Sequence, residues 1–451
     1  MNFSFFSFFG LKITFLRSLP NISSIPKSLL SSAPMAETPF SLSLILFLIL
    51  SLPPLSLQLQ GNISAADLQA LRVIKNTLTD LPLRRSPSGP GFFSTWDFSS
   101  LDPCSSFSGV VCDLGRVTIL SLGTGGSDSP GLAGSLPAAI SDLSELTQLI
   151  LFPGIVTGPI PPQLGYLRNL RVLSLTNNRL TGTIPDTLSA LFRLHTLDLS
   201  HNQLAGIIPP TLTKLPDLKI LILSSNQFFG EIPADISSPL LHLDLKSNRL
   251  NGTLPRSLPS SLRYLSLSEN SLWGPLRDEL DSLSELVYLD LSVNRFSGPI
   301  PFSLFSRPSL SSLLLQRNSF SGKVPPLPDH TSPVMYGVGS VVDLSHNNLS
   351  GEMSAIFAGV ETLFLNNNRL IGSIPVEYVK SVRSGSTTTL YLQHNFISGF
   401  PLEAGADLPD TAALCLSYNC MEPPVGVQSC PASVGAPLSR PPWQCPLLKS
   451  P

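Results

Sequence analysis

Charge is scarce in this sequence. Asp, Glu, Lys and Arg make up 13% of the residues, about half the usual share, and the formal net charge is −2. Beyond the first 60 residues, which hold Lys12, Arg17, Lys27 and Glu37, the chain carries 25 basic and 29 acidic side chains, a net of −4. Without a basic excess there is no electrostatic footprint for nucleic acid or for an acidic membrane surface. Cysteine is sparse too and is absent from the long middle of the chain. Cys104 and Cys112 stand near one end, and Cys415, Cys420, Cys430 and Cys445 near the other. An even number gathered at both ends reads as disulfide-stapled caps, hence an oxidising compartment, rather than as thiols of a cytosolic protein.

Long apolar runs are missing, with one exception. FSLSLILFLILSL, residues 40–52, is too short for a membrane span of about 20 residues but suits a signal-peptide core. Met35 begins the short leader MAETPF before it, so residues 35–60 read as the signal peptide, cleaved between Pro54 and Gly61. Residues 1–34 are then either an upstream extension from a wrong start codon or a real, long pre-sequence. No later segment is apolar enough to span a bilayer, and the tail RPPWQCPLLKSP lacks the hydrophobic end of a lipid-anchor signal. The expectation is a mature chain that is soluble outside the cell, with no transmembrane anchor. Its sequons Asn62, Asn251 and Asn348 are candidate glycosylation sites.

Catalytic constellations are missing as well. There is no G-x-S-x-G, no P-loop, no zinc-ligand spacing, and no Ser, His and Asp set that the repeats would bring together. No enzyme activity, cofactor or metal is expected.

What the chain has is repetition. Its 43 prolines recur with a period, in GPIP, GTIP, GEIP and GSIP. The asparagine of LSLTNN, Asn178, has equivalents at Asn202, Asn226, Asn248, Asn270, Asn294, Asn318, Asn347, Asn368, Asn395 and Asn419. Most intervals are 21 to 24 residues, with longer ones of 29 before Asn347 and 27 before Asn395. Two earlier repeats place Gly125 and Gly154 where the asparagine would be, giving about twelve repeats and a closing strand. Each repeat opens with alternating apolar residues such as Leu173 and Leu175, the mark of a short strand. Such a strand cannot bury its apolar face alone, but stacked copies form one parallel sheet with a continuous core. Each buried leucine then contributes roughly 1.5–3 kcal/mol. Where the strand turns away, peptide groups lose ladder partners, and a carboxamide supplies both donor and acceptor. TGTIP follows with glycine for a bend and proline to fix the backbone. The fold class is an α/β repeat solenoid with a parallel concave sheet.

The phrase L-x-x-L-x-L-x-x-N-x-L-x-G-x-I-P, repeated from about 116 to 420, resembles the plant-type extracellular leucine-rich repeat family. The leading segment resembles that family's amino-terminal cap: ADLQALRVIKNTLTDLP as a helix, then FFSTWDF, DPC and SGVVC. There Trp96 matches the packing tryptophan, and Cys104 with Cys112 the cap disulfide. Phe107 stands near the position of a second tryptophan, an aromatic swap. The resemblance divides the chain into a cap at 61–115, repeats at 116–412 and a carboxy-terminal cysteine cap and tail at 413–451. It implies that NCMEPPVGVQSC closes on Cys420 with Cys430, leaving Cys415 with Cys445, although four cysteines allow three pairings. Members include receptor kinases, receptor-like proteins, secreted polygalacturonase inhibitors and cell-wall extensin chimeras. The chain shows no kinase motifs and no Ser-Pro-rich extensin tail, and it lacks the inhibitors' additional cap cysteines. It therefore resembles the receptor-like or secreted branch, which recognises a protein, peptide or cell-wall glycan, with a receptor kinase as a candidate partner. The alternatives are an inhibitor of cell-wall-degrading enzymes and a cell-wall structural protein.

With the scaffold letters set aside, outward columns remain. One column holds Asp198, Asp244, Asp290 and Asp343 together with Phe364 and Tyr391, but LDLS is ordinary repeat spelling and solvated aspartates explain it more simply. Aromatics on an outward face say more, because they are enriched in binding hot spots. Tyr264, Tyr288, Phe364, Tyr391 and Phe396 are the candidates, with Asp198, Asp244, Asp290 and Arg295 beside them on the concave face. Arg179, Arg249, Arg295 and Arg369 follow the asparagine, where arginine is also common family spelling. His201, His346 and His394 lie too many repeats apart to share a metal. The segment PPLPDHTSPVMYGVGS is an insertion on the descending side, read as a tolerated surface loop. A reporter joined to the chain begun at Met35 is expected in the extracellular space; its retention in the cytosol would remove the oxidising-compartment reading.

Overall fold

The strands that the alternation predicts form and stack in register. In the computed structural model of the protein, Leu173, Leu197, Leu221, Leu243, Leu265 and Leu289 pair in sequence across neighbouring parallel strands, each of them buried. The described residues are 63–81, 91–123, 131–305, 307, 309–326, 337–401, 408–421, 430 and 438–445. The leader, Asn62, Gly125 and most of the insertion before Asn347 lie outside them. Among the described residues the largest sheet has 14 strands, of which only the first, Val110–Asp113, is antiparallel. Its thirteen parallel members supply one strand for each of twelve repeats and one to close the stack. The closing strand, Ala413–Cys415, belongs to this same sheet although the sequence reading put it in the carboxy-terminal cap.

Each asparagine joins its repeat to the one before it. Asn270 Oδ1 accepts from Leu250 N at 3.0 Å, and Nδ2 donates to Leu245 O at 3.0 Å in the preceding repeat. Within its own turn Nδ2 also reaches Leu267 O and Ser268 O, both at 3.1 Å. The same pattern recurs at Asn202, Asn226, Asn248, Asn294 and onward to Asn368. The residue before each asparagine takes the left-handed conformation, as at Asn177 with φ 55° and Val293 with φ 53°. For Val293 this is a strained position, since a β-branched side chain disfavours it. Gly154 stands in the asparagine position because a Cβ there would lie 2.6 Å from Leu132 O.

Past the asparagine the chain does not simply bend, as the glycine and proline suggested. It forms a second set of strands on the flank of the solenoid, in a 4-stranded and a 9-stranded sheet. Gly182, with φ 81°, is the glycine of TGTIP, and its counterparts in later repeats lie within these flank strands. Pro185 then leads into a single 3-10 turn, Asp186–Ala190. The repeats contain one full α-helix among the described residues, Val376–Arg383, so the outer side is built mostly of turns.

Both ends are sealed. The cap helix runs Ala65–Thr77, and Leu78–Asp80, expected within it, instead forms a strand antiparallel to Leu132–Ser135. Buried Asp67 holds the helix to the first repeat, accepting from Arg116 Nη2 at 3.0 Å and Val117 N at 2.8 Å. Trp96 is fully buried and stacks on Phe107, with centroids 5.2 Å apart, so the aromatic swap keeps the packing. Cys104 is bridged to Cys112.

At the other end the pairing differs from the expected one. Cys415 bonds Cys430 and Cys420 bonds Cys445, with Cα separations of 4.6 and 5.8 Å. Cys415 ends the closing strand, so its bridge ties Cys430 to the open end of the core. Cys420, one residue past the Asn419 turn, is left to hold the tail. Replacing Asn270 with Ala leaves Leu250 N–H without its partner, whereas Leu245 C=O keeps the bond from Asn248 Nδ2. At about 1–3 kcal/mol for one orphaned group, denaturant unfolding should show a loss of that size; no measurable loss would refute the ladder's role.

Candidate ligand-binding face

Parallel register turns a sequence column into a row of neighbouring side chains. His242, Tyr264 and Tyr288 open three successive concave strands and pair directly with one another. Their rings stack: His242 on Tyr264 with centroids 4.0 Å apart, and Tyr264 on Tyr288 at 4.3 Å with planes 3° apart. Strands lie about 4.8 Å apart, so the register itself brings the rings close to stacking distance. The two tyrosines are half-buried rather than freely solvated, because the rings cover one another's faces. Burial pushes both phenols well above the usual range, with the Asp244 charge adding to it for Tyr264 and the Asp290 charge for Tyr288. His242 had not been singled out in the sequence; its signal is its register with Tyr264, one column over from the aspartates.

Burial lowers the His242 imidazole to about 4. Asp244, two residues on, is displaced upward by burial, partly offset by the Lys246 N–H and the Ser224 hydroxyl. Asp343 is raised for the same reason, against the opposing bonds from Ser345. The Oδ1 of each aspartate in the column accepts from the turn after it: Asp198 from Ser200 N at 3.0 Å, Asp290 from Ser292 N at 3.0 Å, Asp343 from Ser345 N at 2.9 Å and Asp244 from Lys246 N at 3.0 Å. These bonds give the LDLS aspartates a structural task in their own turns.

Phe364 and Tyr391 form a second aromatic pair, edge to face with centroids 5.2 Å apart, on paired strands further along the same sheet. Three strand steps separate Phe364 from the strand of Tyr288, roughly 14 Å. Two expected members lie elsewhere. Arg295 and Phe396 each begin a flank strand, outside the concave sheet. Phe396 is also covered, because the Arg440 guanidinium stacks on it at 4.2 Å and on Tyr418 at 4.6 Å, while Arg440 Nε donates to Asn395 O. Arg179, Arg249 and Arg369 likewise open flank strands and are exposed there. His201, His346 and His394 all precede their asparagines in the left-handed position. Among the described residues no three His, Cys, Asp or Glu side chains gather as a metal site.

Models of the leucine-rich repeat match residues 168–228 and three stretches between 239 and 306, and the leucine-rich repeat N-terminal domain matches 64–113. The chain is a plant-type leucine-rich repeat protein. A comparison with curated proteins found no match. Among solved structures, this leucine-rich repeat protein is 28% identical to the Arabidopsis receptor kinase HAESA, solved with the peptide hormone IDA and the co-receptor SERK1. That match covers 81% of this chain and 60% of the other, at TM-score 0.63. The plant peptide hormone receptor RGFR1, solved with RGF2, is 27% identical over 64% of this chain and 50% of its own, at TM-score 0.54. A plant ice-binding protein matches at 28% identity over 77% of this chain and 100% of its own, at TM-score 0.51. The leucine-rich repeat protein thus spans only 50% and 60% of the two receptor chains. Among its described residues no helix is long and apolar enough to cross a membrane.

His242 gives the face a pH signature. Its folded-state pKa lies below the ordinary 6.5, so below about 6.5 the unfolded chain takes up a proton that the folded chain refuses. Stability is full above that value and falls as pH drops to about 4, by up to roughly 3 kcal/mol. Asp244 acts with the opposite sign. The difference between wild type and His242→Phe, followed by denaturant unfolding from pH 7 to 4, should therefore isolate the loss; parallel curves would contradict it.

Proposed function

We propose that this protein is an extracellular, non-catalytic binding protein that takes a peptide or protein ligand on its concave sheet, between the strands His242–Asp244 and Thr389–Tyr391. The observation that carries this reading is the stacked row His242, Tyr264 and Tyr288 with the Phe364–Tyr391 pair beyond it. Rings fixed by strand register offer contact area at little entropic cost, which favours affinity through preorganisation. Tyrosine with its polar end is a common anchor in such interfaces. The disulfide-bridged caps support an oxidising, extracellular setting. The likeness to two ectodomains solved with their hormones supports a peptide as the class of ligand and a receptor-like role in signalling or defence.

The test is capture of apoplastic peptides, proteins and glycans by the purified chain, with wild type and the Tyr264→Ala/Tyr288→Ala variant compared for whatever is retained. Loss of anchors of this kind lowers affinity by about tenfold to a hundredfold. Unchanged capture by the double variant, with its circular dichroism intact, would sink the concave site.

A further inference from the structure

The flank sheet carries an apolar patch that the concave site does not use. Ile207, Phe229 and Trp273 each leave more than half of their surface exposed. Between the last two lies a sequon. Asn251 pairs with Glu231 on one neighbouring strand and with Ser271 on the other. Phe229 stands two residues before Glu231, and Trp273 two residues after Ser271. Both aromatics are therefore diagonal neighbours of Asn251, about 7–8 Å away across the sheet, and all three side chains are exposed on the outward face. Thr253, the hydroxyl residue of the sequon, is exposed as well. Its Cγ2 lies 3.1 Å from where a Cβ of Gly274 would sit, so the sequon packs directly against the Trp273 strand.

We propose that Asn251 carries an N-linked glycan whose first N-acetylglucosamine lies over Phe229 and Trp273. A β-linked pyranose presents its axial C–H groups on its faces, and these pack favourably on aromatic rings. The flanking charges, Glu231, Arg249 and Arg295, are all exposed and able to bond the sugar's hydroxyl and acetamide groups. The sugar removes from water apolar surface that the described residues leave exposed. A protein partner is the less favoured occupant, because a glycan rooted in the middle of the patch would block it.

This rests on the extracellular route proposed above, and Asn348 separates the two. Asn348 is also an exposed flank sequon, but its strand partner is Ser321 and the adjoining flank residues are Lys323 and Arg369, with no aromatic ring. The full chain, secreted from eukaryotic cells, is analysed for site occupancy by glycopeptide mass spectrometry. Its melting temperature and the quenching of Trp273 by iodide are then read in a Trp443→Phe background. Thr253→Val, which keeps the side chain's shape while abolishing the sequon, should lower Tm by about 1–3 °C and raise Trp273 quenching about twofold. With Phe229→Ser and Trp273→Ser in place, Thr253→Val should leave Tm unchanged, as should Ser350→Ala, which removes the Asn348 sequon. Occupancy at Asn348 without Asn251 overturns this proposal alone, as do an unchanged Tm and quenching in Thr253→Val. Vacancy at both sequons overturns it together with the extracellular reading.

Discussion

Everything in this molecule depends on the bond that each asparagine makes to the repeat before it. A short strand turning out of a sheet must expose peptide groups, and the solenoid would bury them unpaired at every turn. One carboxamide per repeat removes that penalty by accepting from a backbone N–H and donating to a backbone carbonyl of its predecessor. The same bond fixes how far one repeat can slip against the next. Leucine then falls on leucine, and the core is a column rather than a sphere.

Register has a functional consequence as well as a structural one. Once the repeats are locked, side chains at equal positions become neighbours at strand spacing, whatever their separation in sequence. His242, Tyr264 and Tyr288 are 22 and 24 residues apart in sequence, yet their rings are in contact. The flank sheet obeys the same rule with a two-residue offset, which places Phe229 and Trp273 on opposite sides of Asn251. The protein therefore has two differently composed faces written by successive letters of one repeat. The concave letters precede the asparagine and the flank letters follow it.

Much of this was legible in the sequence, for physical reasons. Alternation, the asparagine spacing and the even set of terminal cysteines each impose a constraint that few folds satisfy, so the concave sheet and the capped ends could be drawn from letters alone. The flank sheet was not legible. A glycine at positive φ inside a strand, as at Gly230, has the same spelling as a turn, and only the presence of a neighbouring repeat makes it a strand. Arg295 and Phe396 were misplaced for that reason. The carboxy-terminal disulfides were hidden because pairing depends on how the tail returns, which no spacing rule specifies. Tyr264 and Tyr288 were visible as outward aromatics, but their mutual burial and the addition of His242 required the register.

The asparagine bonds also have a direction. Every carboxamide reaches back, toward the amino terminus, and none depends on a repeat that follows it. Gly154, with no room for a side chain against Leu132, stands before the first link, and Asn419, whose carbonyl is taken up by Arg440 N, ends the row. A ribosome delivers the chain in the same order. Each turn therefore stays short of its partner until its successor arrives, and the last one is completed by the tail, where Tyr418 N donates to Leu438 O.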